Sequence, residues 1–467
     1  MEVAMIDVRM TSEERKAIWG LGTVFSLRML GMFMVLPVLN TYGASLVGSS
    51  KTLIGVAIGI YGLTQAIFQI PFGLFSDYIG RKPLIIYGLI IFALGSSLAA
   101  MTNSIWGVII GRCLQGSGAI SSPIMALLSD LTREQNRARA MAYIGMSLGL
   151  TFAISMVFGP IIARAIGLSG LFWIIALLAV GGLIITTFFI PEAKQHILNR
   201  DSNIVKGRFS IVLANSRLLP INLGIMFLHI LLISSFVVLP PLMENAGLAH
   251  ENQWKVYLFI MIISLSCVVP CVIYAEKHHQ IKRVFQICVI LMLIAEIIFW
   301  CSGLSLYSIF FGMLIFFIAF NILEALLPSL VSKESPTGHK GTAMGVYSTS
   351  QFIGVAIGGS LGGLLYAHVG VYGVFSSCAV LAIIWLALIL KMKDPPYLSS
   401  IRIIIPDRIR ATYWLENKIK NLCGVSDVVL IPQEKTAYIK IDSQVIDREQ
   451  IESFLETQDS EKSDNKF

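Results

Sequence analysis

Long apolar runs alternate with short polar breaks along most of the chain. The hydrocarbon core of a bilayer, ~30 Å thick, takes about 20 apolar residues per helical pass. Twelve runs reach or approach that length, over residues 17–42, 52–75, 83–102, 104–128, 139–164, 168–190, 218–243, 253–275, 284–301, 304–327, 340–366 and 370–391. The third and fourth runs touch at Thr102-Asn103-Ser104. A segment that crosses lipid must satisfy its own backbone groups, so each run is expected to be an α-helix.

The breaks are not equivalent. Basic residues gather after the even-numbered runs: Arg81 and Lys82; Arg133, Arg137 and Arg139; Lys194, Arg200, Lys206, Arg208 and Arg217; Lys277, Lys282 and Arg283; Lys333 and Lys340. The odd-numbered breaks hold little beyond Lys51, Arg164 and Lys255. This bias puts the even breaks in the cytoplasm, with both termini on the same side. Residues 1–16 carry seven charges before any apolar run, which does not suit a secretory leader.

The longest internal break, 191–217, divides two sets of six runs. Residues 1–190 are expected to form one half and 218–391 the other. Val35-Leu36-Pro37 with Leu39 returns as Val238-Leu239-Pro240 with Leu242, and Ala140-Met141 returns as Ala343-Met344. Both repeats share an offset of 203, as do Ser129 with Ser332 and Gly159 with Gly362. A common offset at separated places predicts two parallel six-helix repeats, a symmetry of secondary transporters.

After residue 391 the pattern changes. Ile401, Ile403 and Ile405 alternate as a strand. Pro406-Asp407 opens a helix that runs through Leu422 and stops at Gly424. Val425 to Ile431 and Ala437 to Ile441 form a hairpin about Gln433-Glu434-Lys435, and Asp447 caps a second helix carrying Ile451, Phe454 and Leu455. Residues 398–460 therefore predict a small α+β domain of order βαββα in the cytoplasm.

Composition agrees with the pattern. Charged residues make up 13% and hydrophobic residues 55%, where a soluble protein has roughly 25% charge. Mean hydropathy is +0.76. This excludes a soluble enzyme and a disulfide scaffold. The net charge of +7 belongs to the basic loops, so no nucleic acid is expected as a partner. None of the seven cysteines is spaced as a zinc or redox site, and no metal or cofactor is expected.

The segment GLFSDYIGRKP, residues 73–83, carries an acid at a helix end, a glycine turn and two cations. Asp77 there can favour a neighbouring helix N-terminus and pair with arginines, holding the halves together in one state. It resembles the loop signature of the major facilitator superfamily, matched by Gly73, Asp77, Gly80, Arg81 and Lys82; Phe75 and Tyr78 depart from the pattern. Arg112, Gln115, Gly116 and Gly118 resemble that superfamily's R-x-x-Q-G-x-G element. Gly145, Gly149, Gly159 and Pro160 resemble part of the helix-five element of its drug/proton antiporters, with Ser155 and Ala163 in place of glycines. Small residues there permit close helix approach. The resemblance implies twelve transmembrane helices in two six-helix halves, a gate in which Asp130 pairs with Arg81, and a ferredoxin-like tail. Modules resembling that tail bind heavy metals through a CxxC, here replaced by Pro406-Asp407-Arg408-Ile409.

Ionisable groups inside the spans are candidates for function. They are Arg28, Arg112, His229, Glu296 and Glu324, with Asn321 beside Glu324. A proton-coupled carrier needs a carboxylate or histidine that changes protonation as access alternates, and Glu324 is the first choice. The expected protein is a monomeric, non-enzymatic inner-membrane transporter. Its partners are protons, the bilayer and a small molecule, with a small ligand or protein at the tail. Proton-driven efflux of a lipophilic or cationic compound leads. Symport of a polar solute and a transporter-like sensor read by the tail are the alternatives.

Overall fold

The computed structural model describes residues 10–132, 134–191, 212–335, 340–392, 394, 399–404, 413–431, 436–441, 445–446, 450–451 and 453. Most of the 191–217 linker, the 405–412 turn and most of the second tail helix, with its Asp447 cap, lie outside these residues.

The first half begins with α1, Ser12–Tyr42. Thr11 caps it: its hydroxyl accepts from Glu14 N (3.1 Å), and the Glu14 carboxylate accepts from Thr11 N (2.8 Å). This reciprocal cap satisfies two orphan backbone donors. The same carboxylate receives Asn136 Nδ2 at 3.0 Å, tying the cap to α6. Next come α2, Lys51–Ile79, and α3, Arg81–Met101, joined only by Gly80 at φ +101°. A left-handed φ with no intervening loop is a place for glycine.

The expected fourth span is broken. It forms α4, Ile105–Ser117, and α5, Ser121–Leu131, parted at Gly118, Ala119 and Ile120. The path is still one crossing antiparallel to α3. Gly111 lies against Gly95, Gly118 against Gly88, and Asp130 pairs with Arg81. The fifth and sixth spans are the two legs of α6, Glu134–Phe188, reversed at Gly167 with φ 73°. Ile144 lies beside Gly22 and Gly159 beside Met34, so the first leg runs parallel to α1. Ile175 lies beside Gly31 and Ile190 beside Gly20, so the second returns.

The second half comprises α7 (Leu219–Asn245), α8 (Gln253–Lys277), α9 (Ile281–Cys301), α10 (Leu306–Glu334), α11 (Lys340–His368) and α12 (Val371–Leu390). Ten described helices are long and apolar enough to cross a membrane. The expected twelve spans differ from these ten through the broken α4–α5 pass and the two legs of α6. The best buried are α1 and α7, with 78% and 83% of their apolar windows inside. They hold corresponding places in the two halves. Outward faces carry exposed residues such as Ile67, Leu94, Leu177, Ile262 and Ile383, the surface that lipid covers.

The halves clasp at the end that carries Glu251. There α2 and α11 meet glycine to glycine: a Cβ on Gly59 would stand 2.7 Å from Ala356 O, and one on Gly363 would stand 2.8 Å from Gly55 Cα. Around this seam Asn40 Nδ2 donates to Phe236 O (2.8 Å), Arg164 pairs with Glu251 (2.9 Å), and the Lys51 ammonium lies 4.0 Å from the Tyr366 ring centroid.

The tail forms β1, Ser399–Ile404; α13, Tyr413–Lys420; β2, Val425–Ile431; and β3, Thr436–Ile441. The sheet order is β1-β3-β2, antiparallel throughout, with Ile439 opposite both Ile401 and Val428. Leu415 and Ile419, four apart on α13, pack with Ile403, Val428, Ile439 and Ile441 into a core separate from that of the bundle.

Candidate functional site

Among the described residues, three polar constellations stand out in a largely apolar interior. The first lies at the end opposite Glu251. Arg81, the first residue of α3, pairs with Asp130 at 2.9 Å, both side chains about 2% exposed. Lys82 Nζ donates to Thr187 O (3.1 Å) and Ile190 O (2.9 Å), the open carbonyls at the end of α6. A cation at a helix C-terminus complements its dipole. The predicted loop motif thus ties α3 to α5 and α6 within one half. The Asp77 side chain lies outside the described residues. The second half carries a counterpart: Glu276 at the end of α8 pairs with Lys333 at the end of α10 and accepts from Ser329 Oγ at 2.9 Å.

The second constellation lies inside the first half. Arg28 and Arg112 are 1% and 0% exposed. Snorkelling, one reading of a lone arginine in a span, does not occur at Arg112. Both guanidiniums lie over the Tyr61 ring, 5.9 and 4.6 Å from its centroid, and Arg28 also lies 5.6 Å from that of Phe92. Arg28 donates to Gln65 Oε1 through Nη2 and to Ser121 Oγ (3.4 Å) through Nη1. Gln65 passes the chain to Gln69 (2.8 Å), and Gln69 to Ser122 (3.0 Å). Arg112 donates to Gln115 Oε1 (3.0 Å), which donates onward to Ser96 (2.8 Å), and to Ala57 O (3.4 Å). Gln65 and Gln115 each turn the carbonyl towards a cation and the donor away.

The third constellation lies in the second half. Glu324 Oε1 accepts from Gln351 Nε2 at 3.2 Å, and Oε2 lies 4.0 Å from His229 Nε2. The Glu324 side chain is 21% exposed while that of His229 is buried. Gln351 Nε2 also reaches His229 Nε2 at 2.9 Å, and His229 Nδ1 lies 3.2 Å from Ile225 O. An amide N–H can only donate and a carbonyl can only accept, so the ring is neutral with its proton on Nδ1. Asn321, expected beside Glu324, instead donates to Ser264 Oγ on α8 (2.9 Å). One turn of sequence separates the pair onto different neighbours. Glu296 is fully buried and accepts from Ser235 Oγ at 3.1 Å, so it does not face an open groove.

The helix-five glycines divide. A Cβ on Gly159 would meet Met34 O at 2.7 Å, a close helix approach, and Pro160 beside it is buried. A Cβ on Gly145 or Gly149 would meet nothing within 4 Å. Close packing expected at all three holds only at Gly159, because the α6 face at 145–149 stands clear of its neighbours.

Sequence reasoning passed over the joining of Arg28 to Gln65 and of Glu324 to Gln351 and His229. The available signal was spacing: Gln65 and Gln69 stand four apart on one helix face, within a run that is otherwise apolar.

Comparison with known proteins gives these assemblies a setting. A family model described as Major Facilitator Superfamily matches residues 21–359 and again 282–406. One described as the YajR YAM domain matches residues 401–457. The inner membrane transport protein YajR of Escherichia coli (strain K12) is 58% identical over 451 residues, 97% of this chain and 99% of its own. Multidrug resistance protein MdtH of Baumannia cicadellinicola subsp. Homalodisca coagulata is 25% identical over 348 residues, 73% of this chain and 82% of its own. Among solved structures, a bacterial homolog to the human lysosomal transporter Spinster, in an inward-facing and occupied conformation, has TM-score 0.64 at 13% identity. That match covers 82% of this chain and 97% of the other.

Proposed function

The chain belongs to the major facilitator superfamily, and on that premise we propose that it is a proton-coupled transporter that expels a small lipophilic compound from the cytoplasm across the inner membrane. The observation that carries this reading is the Glu324–Gln351–His229 cluster. It is polar, partly accessible, and set where α7, α10 and α11 converge. Phe152 of the first half stands 5.4 Å from Phe320 and 6.1 Å from Phe317, ring centroid to centroid. These rings offer an apolar wall beside the carboxylate.

A buried carboxylate is costly unless it meets a cation or takes up a proton. Among the described residues the Glu324 carboxylate meets a neutral amide and a neutral imidazole and no cation. A proton on Glu324 removes that cost. A proton on His229 Nε2 would expel the Gln351 donor and draw the ring towards Glu324 instead. Either event repacks α10 against α11, and α11 carries the glycine seam to α2. That is a route from protonation to a shift between the two access states. Asp77, Arg81, Lys82 and Asp130 would gate the opposite end. The multidrug-resistance name of one relative supports efflux, and the basic loops support cytoplasmic termini.

A cationic substrate, the other class considered, would have to meet Glu324. Transport into inside-out vesicles under an imposed proton gradient, with a panel of lipophilic neutral, cationic and anionic compounds, tests the reading. Gradient-dependent uptake that Glu324→Gln abolishes is expected. Gradient-dependent uptake unchanged in Glu324→Gln would move the proton to another group. A sensing role for the tail is favoured by one contact: Lys440 Nζ donates to Lys333 O (2.9 Å) at the end of α10, about two and a half turns beyond Glu324.

A further inference from the structure

The half that holds Arg28 and Arg112 has a different chemistry from the half that holds Glu324. Two guanidiniums are fully buried, share one aromatic ring, and touch only neutral partners. Among the described residues no carboxylate lies within ion-pair distance of either. Guanidinium stays charged in proteins, and a buried charge without a counter-ion costs several kcal/mol. The glutamine chains soften that cost by aiming carbonyl oxygens at the cations. They do not cancel it.

Two polar atoms of this cluster are left over, Arg28 Nε and the Tyr61 hydroxyl. Arg28 Nε is buried with no hydrogen-bond partner. Nε and Nη2 form one edge of the guanidinium, the edge that takes a carboxylate through two parallel bonds. On Arg28 that edge is half used: Nη2 holds Gln65 Oε1, and Nε holds nothing. Gln65 is also bonded to Gln69, so it can turn to that neighbour when a stronger acceptor arrives. The chain from Arg28 through Gln65 and Gln69 ends on Ser122, which is only partly buried. It descends α2 away from the glycine seam, towards the end carrying Arg81. A polar path thus leads to the unused edge from the side that the seam does not close.

We infer that Arg28, with Arg112 across the Tyr61 ring, forms a binding site for the carboxylate of a small organic anion, whose apolar body lies against Tyr61 and Phe92. This rests on the transporter reading for its purpose but not for its test, because binding needs neither a gradient nor Glu324. It names an anionic substrate class where the family resemblance suggests a lipophilic or cationic one.

The test uses the full-length protein in detergent, followed by thermal unfolding through its tryptophan fluorescence. The probes are benzoate, benzyl alcohol and benzyltrimethylammonium, which differ mainly in charge. Benzoate should raise the melting temperature saturably, and the other two should not. Arg28→Gln, which keeps donors but loses the charge, should weaken benzoate about ten- to a hundred-fold, as expected for a charge-assisted pair. Arg28→Lys cannot fork two bonds and should fall between. If Arg28→Gln fails to give a cooperative unfolding transition, the Lys variant decides. Benzoate affinity equal to the parent in either folded variant overturns the site. So does an absent benzoate shift in the parent, or a shift given by the ammonium probe and not by benzoate. A benzoate shift with no gradient-driven flux of any compound would instead retain the site and sink the proton-coupled reading.

Discussion

The two halves share a fold and differ in sign. Each buries its first helix, α1 or α7, and sets a polar group from it against two neighbours. In the first half that group is Arg28, answered by Gln65 and Ser121. In the second it is His229, answered by Gln351 and Glu324. The repeat offset of 203 places Ser121 opposite Glu324 and Asp130 opposite Lys333. Where one half has a hydroxyl beside a cation, the other has an acid beside a neutral ring. Backbone symmetry makes a two-state hinge cheap to build. On the proposed reading, this charge asymmetry would let the two halves answer different ligands, a proton in one and a substrate group in the other.

The largest effect that would break this contrast is at Glu324. Glu324→Gln leaves an amide of equal size beside Gln351 and removes the protonatable group. Gradient-dependent flux should fall to the level seen without a gradient, while expression and unfolding stay near those of the parent. Flux that still follows the gradient would mean that the acid of the second half is structural.

Next in size is the clasp between α3 and α5. Removing one partner of a buried ion pair leaves the other charge in a poor medium, at a cost of about 3–5 kcal/mol. Arg81→Ala should therefore lower unfolding stability by an amount of that order, and the Arg81→Ala/Asp130→Ala double variant should recover part of it. The counterpart clasp, Glu276 with Lys333, is only partly buried, and the same operation there should cost much less. Equal costs at the two clasps would show that burial does not distinguish the halves.

Much of this architecture is legible in the sequence, for reasons that differ by element. Runs of 20 apolar residues announce themselves, and the turn between the fifth and sixth is visible as the gap around Gly167. The break in the fourth span is not visible, because Gly118, Ala119 and Ile120 keep the run apolar while interrupting its helix. The Arg81–Asp130 pair is implied by the resemblance of residues 73–83 to the superfamily's loop signature, and the two side chains do meet. The Arg28 and Glu324 assemblies are not so implied, since their members come from helices 37 and 27 residues apart in sequence. Periodicity tells which residues share a face of one helix; it does not tell which face of another helix they meet. Asn321 illustrates this, being three residues from Glu324 and yet bonded to α8.

A third substitution sharpens the contrast by erasing it. Ser121→Glu puts an acid at the position that corresponds to Glu324, beside Arg28. The introduced carboxylate should pair with Arg28 through Nη1, which Ser121 already faces, and neutralise the guanidinium internally. Benzoate should then lose its effect on the melting temperature even though both arginines remain. Binding at parental strength would place the anion elsewhere.

The smallest effect is expected at the counterpart clasp. Glu276 is bonded to Ser329 and paired with Lys333 at the edge of the bundle, with 37% of its side chain exposed. Partly exposed ion pairs contribute about 0–1 kcal/mol, because water screens the pair and two long side chains lose freedom in forming it. Glu276→Gln should shift unfolding by no more than that and respond weakly to salt. Its second consequence is more telling. Lys333 also supplies, through its backbone carbonyl, the acceptor for Lys440 of the tail. If the end of α10 is positioned by the Glu276 pair, the variant should loosen the tail, read as faster amide hydrogen exchange across β3 without a change in bundle stability. If exchange across β3 is unaltered, the tail is held by its own contacts, and the two halves differ at this end only in how deeply their ion pairs are buried.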